Sequence, residues 1–105
     1  MFIYISIGNS DDKLSQSGWH QFCDVIDRSV KMLLATSPMG YVVIHGNWYS
    51  KTDDPWQNAC WCVEMRKREG YATLLQQFRE HLHNAGMRFG QDSIAWAVAE
   101  TTVFL

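Results

Sequence analysis

Five aspartates fall in polar segments that lie between predicted secondary structure elements. They are Asp11, Asp12, Asp53, Asp54 and Asp92. Carboxylates gathered at one end of a fold can hold a magnesium ion, and a bound magnesium ion can promote the hydrolysis of a phosphodiester. These residues therefore raise the hypothesis of a metal-dependent phosphodiester hydrolase.

A zinc site can also be written down from a histidine and three cysteines. His20 and Cys23 are one helical turn apart. Cys60 and Cys62 lie on the same face of a predicted strand. Cys23 belongs to the apolar stripe of its helix, whereas His20 is rotated away from that stripe. We therefore interpret the thiols as small hydrophobic groups, and we expect neither a metal nor another cofactor.

A third group combines large aromatic side chains with amides and hydroxyls. It comprises Asn9, Ser10, Asp11, Trp48, Tyr49, Trp56, Gln57, Asn58, Arg88, Gln91, Asp92 and Ser93. Aromatic rings supply stacking area in ligand sites, and a few polar groups fix the orientation of the ligand. Ordinary surface loops are also polar, but their turn chemistry does not call for Trp48, Trp56 or Gln57.

The elements that must position these residues follow from hydrophobic periodicity. Alternating apolar residues predict strands, and apolar residues repeating every 3.6 positions predict helices. The predicted elements are a strand at Phe2 to Gly8, a helix from Ser15 to about Thr36, strands at Tyr41 to Tyr49 and Gln57 to Met65, a helix from Tyr71 to Gly86, and a strand at Ser93 to Ala99. The first helix has Ser15 as its N-cap, and Gly86 is the predicted C-cap of the second.

The order βαββαβ predicts an α+β ferredoxin-like fold, with a four-stranded antiparallel sheet and two helices on one face. A chain of 105 residues has the size of one domain, so we expect a single domain over residues 1–105. In this topology residues 8–15, 47–58 and 87–93 share one end of the sheet, which we call the upper end. The predicted ligand site lies there.

The layout resembles that of the small CRISPR-associated nucleases. The shared features are the chain length, the ferredoxin-like order and an acidic residue, Asp11, soon after the first strand. This resemblance implies metal-dependent phosphodiester hydrolysis. The present sequence departs from the pattern because its first strand ends in Gly8, Asn9 and Ser10 before Asp11 is reached.

The composition and the net charge limit the classes of molecule that we expect the protein to bind. Hydrophobic residues make up 47% of the chain and charged residues 19%, which is typical of a packed globular protein. The net charge of -2 gives no basic field for a phosphate backbone or an anionic membrane, so we expect no nucleic acid and no membrane partner. The three cysteines and the lack of a recognisable export signal favour the cytoplasm.

The strands are apolar on both faces, although two helices can cover only one face. Phe2, Tyr4, Tyr41, Val43, Cys60 and Cys62 should lie on the uncovered side, with either Ala95 and Ala97 or Ile94 and Trp96 beside them. Large exposed apolar patches are rare in monomers, so we expect a homodimer packed sheet to sheet. The alternative is that the tail from Thr101 to Leu105 covers the same surface.

Three functions therefore remain open. The first is a non-catalytic binding module for a small planar or nucleotide-like ligand, since no spacing supports a catalytic triad or a phosphate-binding loop. The second is a protein-interaction module, such as an inhibitor or decoy, because Trp and Tyr are also interface anchors. The third is the metal-dependent hydrolase. If the first holds, replacing Trp56 or Gln57 with Ala should remove binding at little cost in stability.

Overall fold

A computed structural model describes residues 1–9, 13–51, 56–91, 94–100 and 105. Its elements are β1 (Phe2–Gly8), α1 (Gln16–Thr36), β2 (Val42–Tyr49), β3 (Asn58–Met65), α2 (Tyr71–Arg88) and β4 (Ala95–Ala99). The predicted βαββαβ order is confirmed. Among the described residues, neither helix combines the length and the apolar character needed to cross a bilayer.

The four strands form one antiparallel sheet in the order β2-β3-β1-β4. This strand order, with two helices, is the ferredoxin-like arrangement that the sequence predicts. Gly8 pairs with Asn58 at the upper end, and Ser6 pairs with Cys60 on one side and with Ala95 on the other. The register therefore fixes which residues stand side by side across the sheet.

The core lies between the sheet and the two helices. Its central strands contribute alternate residues, namely Ile3, Ile5 and Ile7 from β1 and Ala59, Trp61 and Val63 from β3. The α1 stripe packs on them through Trp19, Phe22, Cys23, Ile26, Val30 and Leu33. Leu34, which the periodicity also places in the stripe, is 45% exposed because the helix turns it away from the sheet.

The helix ends show one correction. The N-cap prediction is confirmed, since the Ser15 hydroxyl accepts a hydrogen bond from the Gly18 amide at 3.1 Å. The second helix continues past Gly86, which is buried against Ile94 so closely that an added Cβ would lie 3.3 Å from the Ile94 side chain. The chain leaves the helix at Gly90, whose φ of 67° suits glycine.

A β-bulge interrupts the pairing of β2 with β3. The register shifts between Ile44 and Gly46, and Gly46 has a φ of 149°, which favours glycine. Beyond the bulge, Tyr49 pairs with Ala59 on the helix-covered face, while Trp48 pairs with Cys60 on the opposite face. The extra residue thus decides on which side of the sheet each of these two aromatic rings lies.

One polar contact ties α1 to the core of the sheet. The indole Nε1 of buried Trp61 donates to Oδ1 of Asp27 at 3.1 Å, and Nζ of Lys31 lies 2.7 Å from Oδ2 of the same carboxylate. Burial raises the pKa of Asp27, but the hydrogen bonds from Lys31 and Trp61 and the charge of Lys31 outweigh it, so the net pKa is lowered. The ionised carboxylate is therefore favoured by the folded state.

Replacing Asp27 with Ala should lower the free energy of unfolding by about 1–3 kcal/mol at neutral pH, because the indole N–H of Trp61 loses its buried acceptor. Asp24→Ala is the control, since Asp24 pairs with Arg28 on the exposed side of the same helix and should cost about 0.5 kcal/mol or less. Urea denaturation measures both.

The pH dependence of the Asp27→Ala deficit follows from the direction of the shift. A lowered folded-state pKa stabilises the protein above the unfolded value of about 3.9 and ceases to do so as the pH falls through the folded value. The charge-dependent part of the deficit should therefore shrink in acid. Equal losses from Asp24→Ala and Asp27→Ala would contradict the proposed tie.

Candidate functional site

Three amide side chains form a hydrogen-bonded network at the upper end. Nδ2 of Asn9 donates to the Leu14 carbonyl at 3.0 Å and to Oε1 of Gln57 at 3.2 Å, and Oδ1 of Asn9 accepts from the Leu14 amide at 3.0 Å. The side chains of Gln16 and Gln57 exchange a reciprocal pair of hydrogen bonds at 2.7 and 3.0 Å. The network joins the end of β1, the start of α1 and the residue before β3.

This network changes the interpretation of Asn9 and Gln57. Both are buried, with 0% and 5% of their surface exposed. Both N–H groups of the Asn9 amide donate within the protein, and its backbone N–H donates to the Gln57 carbonyl at 2.9 Å. The geometry supports a role for Asn9 and Gln57 in holding three chain segments together. A ligand could form hydrogen bonds with these two side chains only by displacing the bonds that they make within the protein.

The aromatic residues of the predicted site are exposed, but they do not share one surface. Trp48 is 59% exposed, Trp56 64% and Tyr49 45%. The Tyr49 ring contacts Trp61 edge to face, with centroids 5.7 Å apart, on the helix-covered side of the sheet. Since Trp48 lies on the opposite side, Trp48 and Tyr49 cannot stack on the same planar ligand.

The remaining described members of the predicted site make local contacts. Nδ2 of Asn58 donates to the Trp56 carbonyl at 2.7 Å. Arg88 lies beside the Phe89 ring, 5.8 Å from its centroid, and Nε2 of Gln91 donates to the Phe89 carbonyl at 3.3 Å. Arg88 also borders a depression between the two helices. Arg88 and Gln91 therefore belong to the end of α2.

Ser10, Asp11, Asp92 and Ser93 lie outside the described residues, as do Asp12, Asp53 and Asp54. The proposed acidic cluster therefore stays a prediction. Within the described ranges, no three His, Cys, Asp or Glu side chains are placed to hold a metal ion. Cys23 lies on the buried side of α1, on the opposite side of the sheet from Cys60 and Cys62. Burial raises the pKa of its thiol to about 12.

The face of the sheet that the described helices leave uncovered carries the exposed rings of Tyr4 and Trp48, and we call it the open face. The strand register arranges it in three rows that run from β2 to β4. The upper row is Trp48, Cys60, Ser6 and Ala95, the middle row is Gly46, Cys62, Tyr4 and Ala97, and the lower row is Val43, Glu64, Phe2 and Ala99. The choice that the sequence left open for β4 is thereby decided, because Trp96 faces the helices while Ala95 and Ala97 face outward.

Tyr4 stands near the centre of the open face with 40% of its surface exposed. An electrostatic interaction with the neighbouring Cys62 side chain, together with a hydrogen bond between the two groups, raises the pKa of the Tyr4 hydroxyl. Tyr41, which the sequence also assigns to this face, lies at the foot of β2, where its hydroxyl donates to the Glu69 carbonyl at 2.6 Å. Tyr4 and Trp48 are therefore the prominent aromatic residues of the open face.

The lower row contains the charged groups of the open face. Nε2 of His45, the bulged residue, lies 2.9 Å from Oε1 of Glu64, and the Phe2 and His45 ring centroids are 5.4 Å apart. The hydrogen bond from His45 lowers the pKa of Glu64, and Arg66 contributes to the same shift. Charges of opposite sign thus meet at this edge, and the centre of the face carries none.

Comparison with known proteins adds no assignment: no family model matches this sequence, and no curated protein matches it significantly. The alternating residues of β1 and β3 predicted the open face, whereas no local signal in the sequence indicated the Gln16–Gln57 pair.

The burial of Gln57 revises the expected effect of its removal. Gln57→Ala should lower the free energy of unfolding by about 1–3 kcal/mol, because Asn9 and Gln16 lose buried hydrogen-bond partners. Trp56→Ala, at an exposed neighbouring position, should change it by about 0.5 kcal/mol or less. Urea denaturation followed by circular dichroism measures both variants, and the reverse order of effects would contradict a structural role for the amide network.

Proposed function

We propose that the protein is a protein-interaction module and that the open face of its sheet is the binding surface. The observation that carries the proposal is the exposure of Tyr4 and Trp48 on a face whose centre is apolar. Aromatic side chains of this kind are the residues on which interface energy concentrates. Among the described residues, both helices pack on the other side of the sheet.

The chemistry of the open face suits a protein surface better than a small ligand. The face is an extended sheet surface, and small ligands usually bind in concave sites that enclose most of their surface. Its polar groups are few, and the hydrogen-bonded pair of His45 and Glu64 stands at one edge. An apolar centre with a polar rim is the usual anatomy of a protein interface.

The size of the face limits the area of the interface that it can form. Four strands at a spacing of about 4.8 Å and a length of about 20 Å give a flat footprint of about 400 Å². A standard interface buries about 800 Å² of accessible surface on each partner, and the side chains of Tyr4 and Trp48 add area above the footprint. The face therefore suits an interface at the small end of this range.

The change Tyr4→Glu should abolish binding at this face, since it places a charge at the apolar centre. Association of the purified protein, or its binding of a hydrophobic dye when no partner is present, should fall at least tenfold. Met32→Glu is the matched control, because Met32 is exposed on α1, on the other side of the molecule.

Light scattering measures association and dye titration measures dye binding, and circular dichroism verifies that each variant folds. A wild-type protein that neither associates nor binds dye, or equal effects of Tyr4→Glu and Met32→Glu, would overturn the proposed surface. The first result would be expected if residues 101–105 covered the face.

A planar ligand at the upper end is the second candidate, and the exposure of Trp56 favours it. Trp56 is the aromatic residue of the predicted site that directly precedes Gln57 in the chain, and its carbonyl accepts a hydrogen bond from Nδ2 of Asn58. Stacking would supply the affinity here, since Asn9 and Gln57 are engaged with each other.

A thermal-shift series with nucleotides tests this second candidate. Binding to the folded state must raise the melting temperature, by an amount that grows with ligand concentration. Trp56→Ala should abolish the shift, whereas Trp56→Phe should retain part of it because an aromatic ring remains. A shift that survives Trp56→Ala, or no shift with any nucleotide, would remove the candidate.

A further inference from the structure

The open face has a lateral asymmetry in side-chain size. Its β2 edge carries Trp48 in the upper row, and its β4 edge carries Ala95 at the same height, because both residues are in register with the row of Cys60 and Ser6. Trp48 is 59% exposed and rises above the sheet, whereas an alanine leaves a shallow recess. One edge of the face is therefore raised and the other is low.

We infer that the partner of the open face is a second copy of this chain, packed about a two-fold axis that runs parallel to the strands and passes between β1 and β3. This inference rests on the proposed function of the open face. Such an axis places β2 of one copy over β4 of the other and keeps every row at its own height. Trp48 then covers the recess at Ala95 of the second copy, and the reverse contact forms at the same time.

The central strands match in the same way. The axis places β3 of one copy over β1 of the other, so Cys62 faces Tyr4 and Cys60 faces Ser6 of the second copy. Both of these facing pairs include a small side chain, so neither sets two bulky groups against each other. Close packing without voids is what a stable interface between two sheets needs.

A two-fold axis perpendicular to the strands fits poorly. It would lay each strand over its own copy and reverse the rows, so that Trp48 meets Val43 at one edge while Ala95 meets Ala99 at the other. Large residues would then oppose large ones on one side, and small residues would oppose small ones on the other. The two sheets would be wedged apart along β4, and the apolar area removed from water would fall.

The charges of the face are compatible with self-association. His45 and Glu64 form a pair within each copy, at a distance of 2.9 Å. The parallel axis sets Glu64 opposite Phe2 of the second copy, so the two Glu64 carboxylates do not face each other. No pair of like charges is directly opposed in the described face.

Site-specific cross-linking distinguishes the two axes. In a Cys60→Ser, Cys62→Ser background, Val43→Cys with Ala99→Cys should link two chains efficiently, since the parallel axis places residue 43 over residue 99. Ala95→Cys with Ala99→Cys is the matched control, because the perpendicular axis would link that pair. The thiol-reactive linker must be too short to join two cysteines of the same chain. Those cysteines are about 14 Å apart between β2 and β4 and about 13 Å apart along β4.

The expected result has two parts. Light scattering should give a mass near twice the 12.2 kDa of one chain at micromolar concentration, and the linked dimer from the first pair should exceed that from the second at least tenfold. A dimer linked through the second pair would overturn the proposed axis and leave the open face as an interaction surface. A monomer that binds dye through the face around Tyr4 would overturn self-association alone.

Discussion

Two helices can cover one face of a four-stranded sheet, and this limit governs most of what the structure can do. The helices pack on the side of the sheet that carries Ile3, Ile5 and Trp61, which the register aligns across β1 and β3. Every residue between these core positions is then directed to the open face. Because Tyr4, Cys60 and Cys62 occupy such positions, the pattern that builds the core also leaves an apolar surface outside it.

The two polar contacts described above serve the covered side. Trp61 donates to Asp27 and so holds α1 against β3, while the amides of Asn9, Gln16 and Gln57 hold the upper ends of β1, α1 and β3 together. Each contact leaves a buried group without a partner if it breaks, which favours a single alignment of helix and sheet. A rigid sheet suits an interface, since little conformational freedom is lost on association.

The fold could be predicted from the sequence because alternation in β1 and β3 and the stripe of α1 are uninterrupted. The end of α2 was misplaced because Gly86 is a contact for Ile94, and the left-handed residue is Gly90. The faces of Trp48 and Tyr49 could not be assigned, since simple alternation from Val42 gives each of them the opposite side. The hydrogen bonds between Gln16 and Gln57 join residues that are far apart in the sequence, so no local sequence pattern predicts them.

The bulge at His45 has a consequence for how this surface can change through insertion and deletion. Removing His45 would restore regular alternation along β2 and leave Trp48 on the open face, whereas removing Asn47 with the bulge kept would carry Trp48 to the helix side and Tyr49 to the open face. The second deletion would hardly alter the composition of the strand, yet the raised edge of the face would present a phenol in place of an indole. The shape of the surface is thus encoded in the spacing of β2 as well as in its residues.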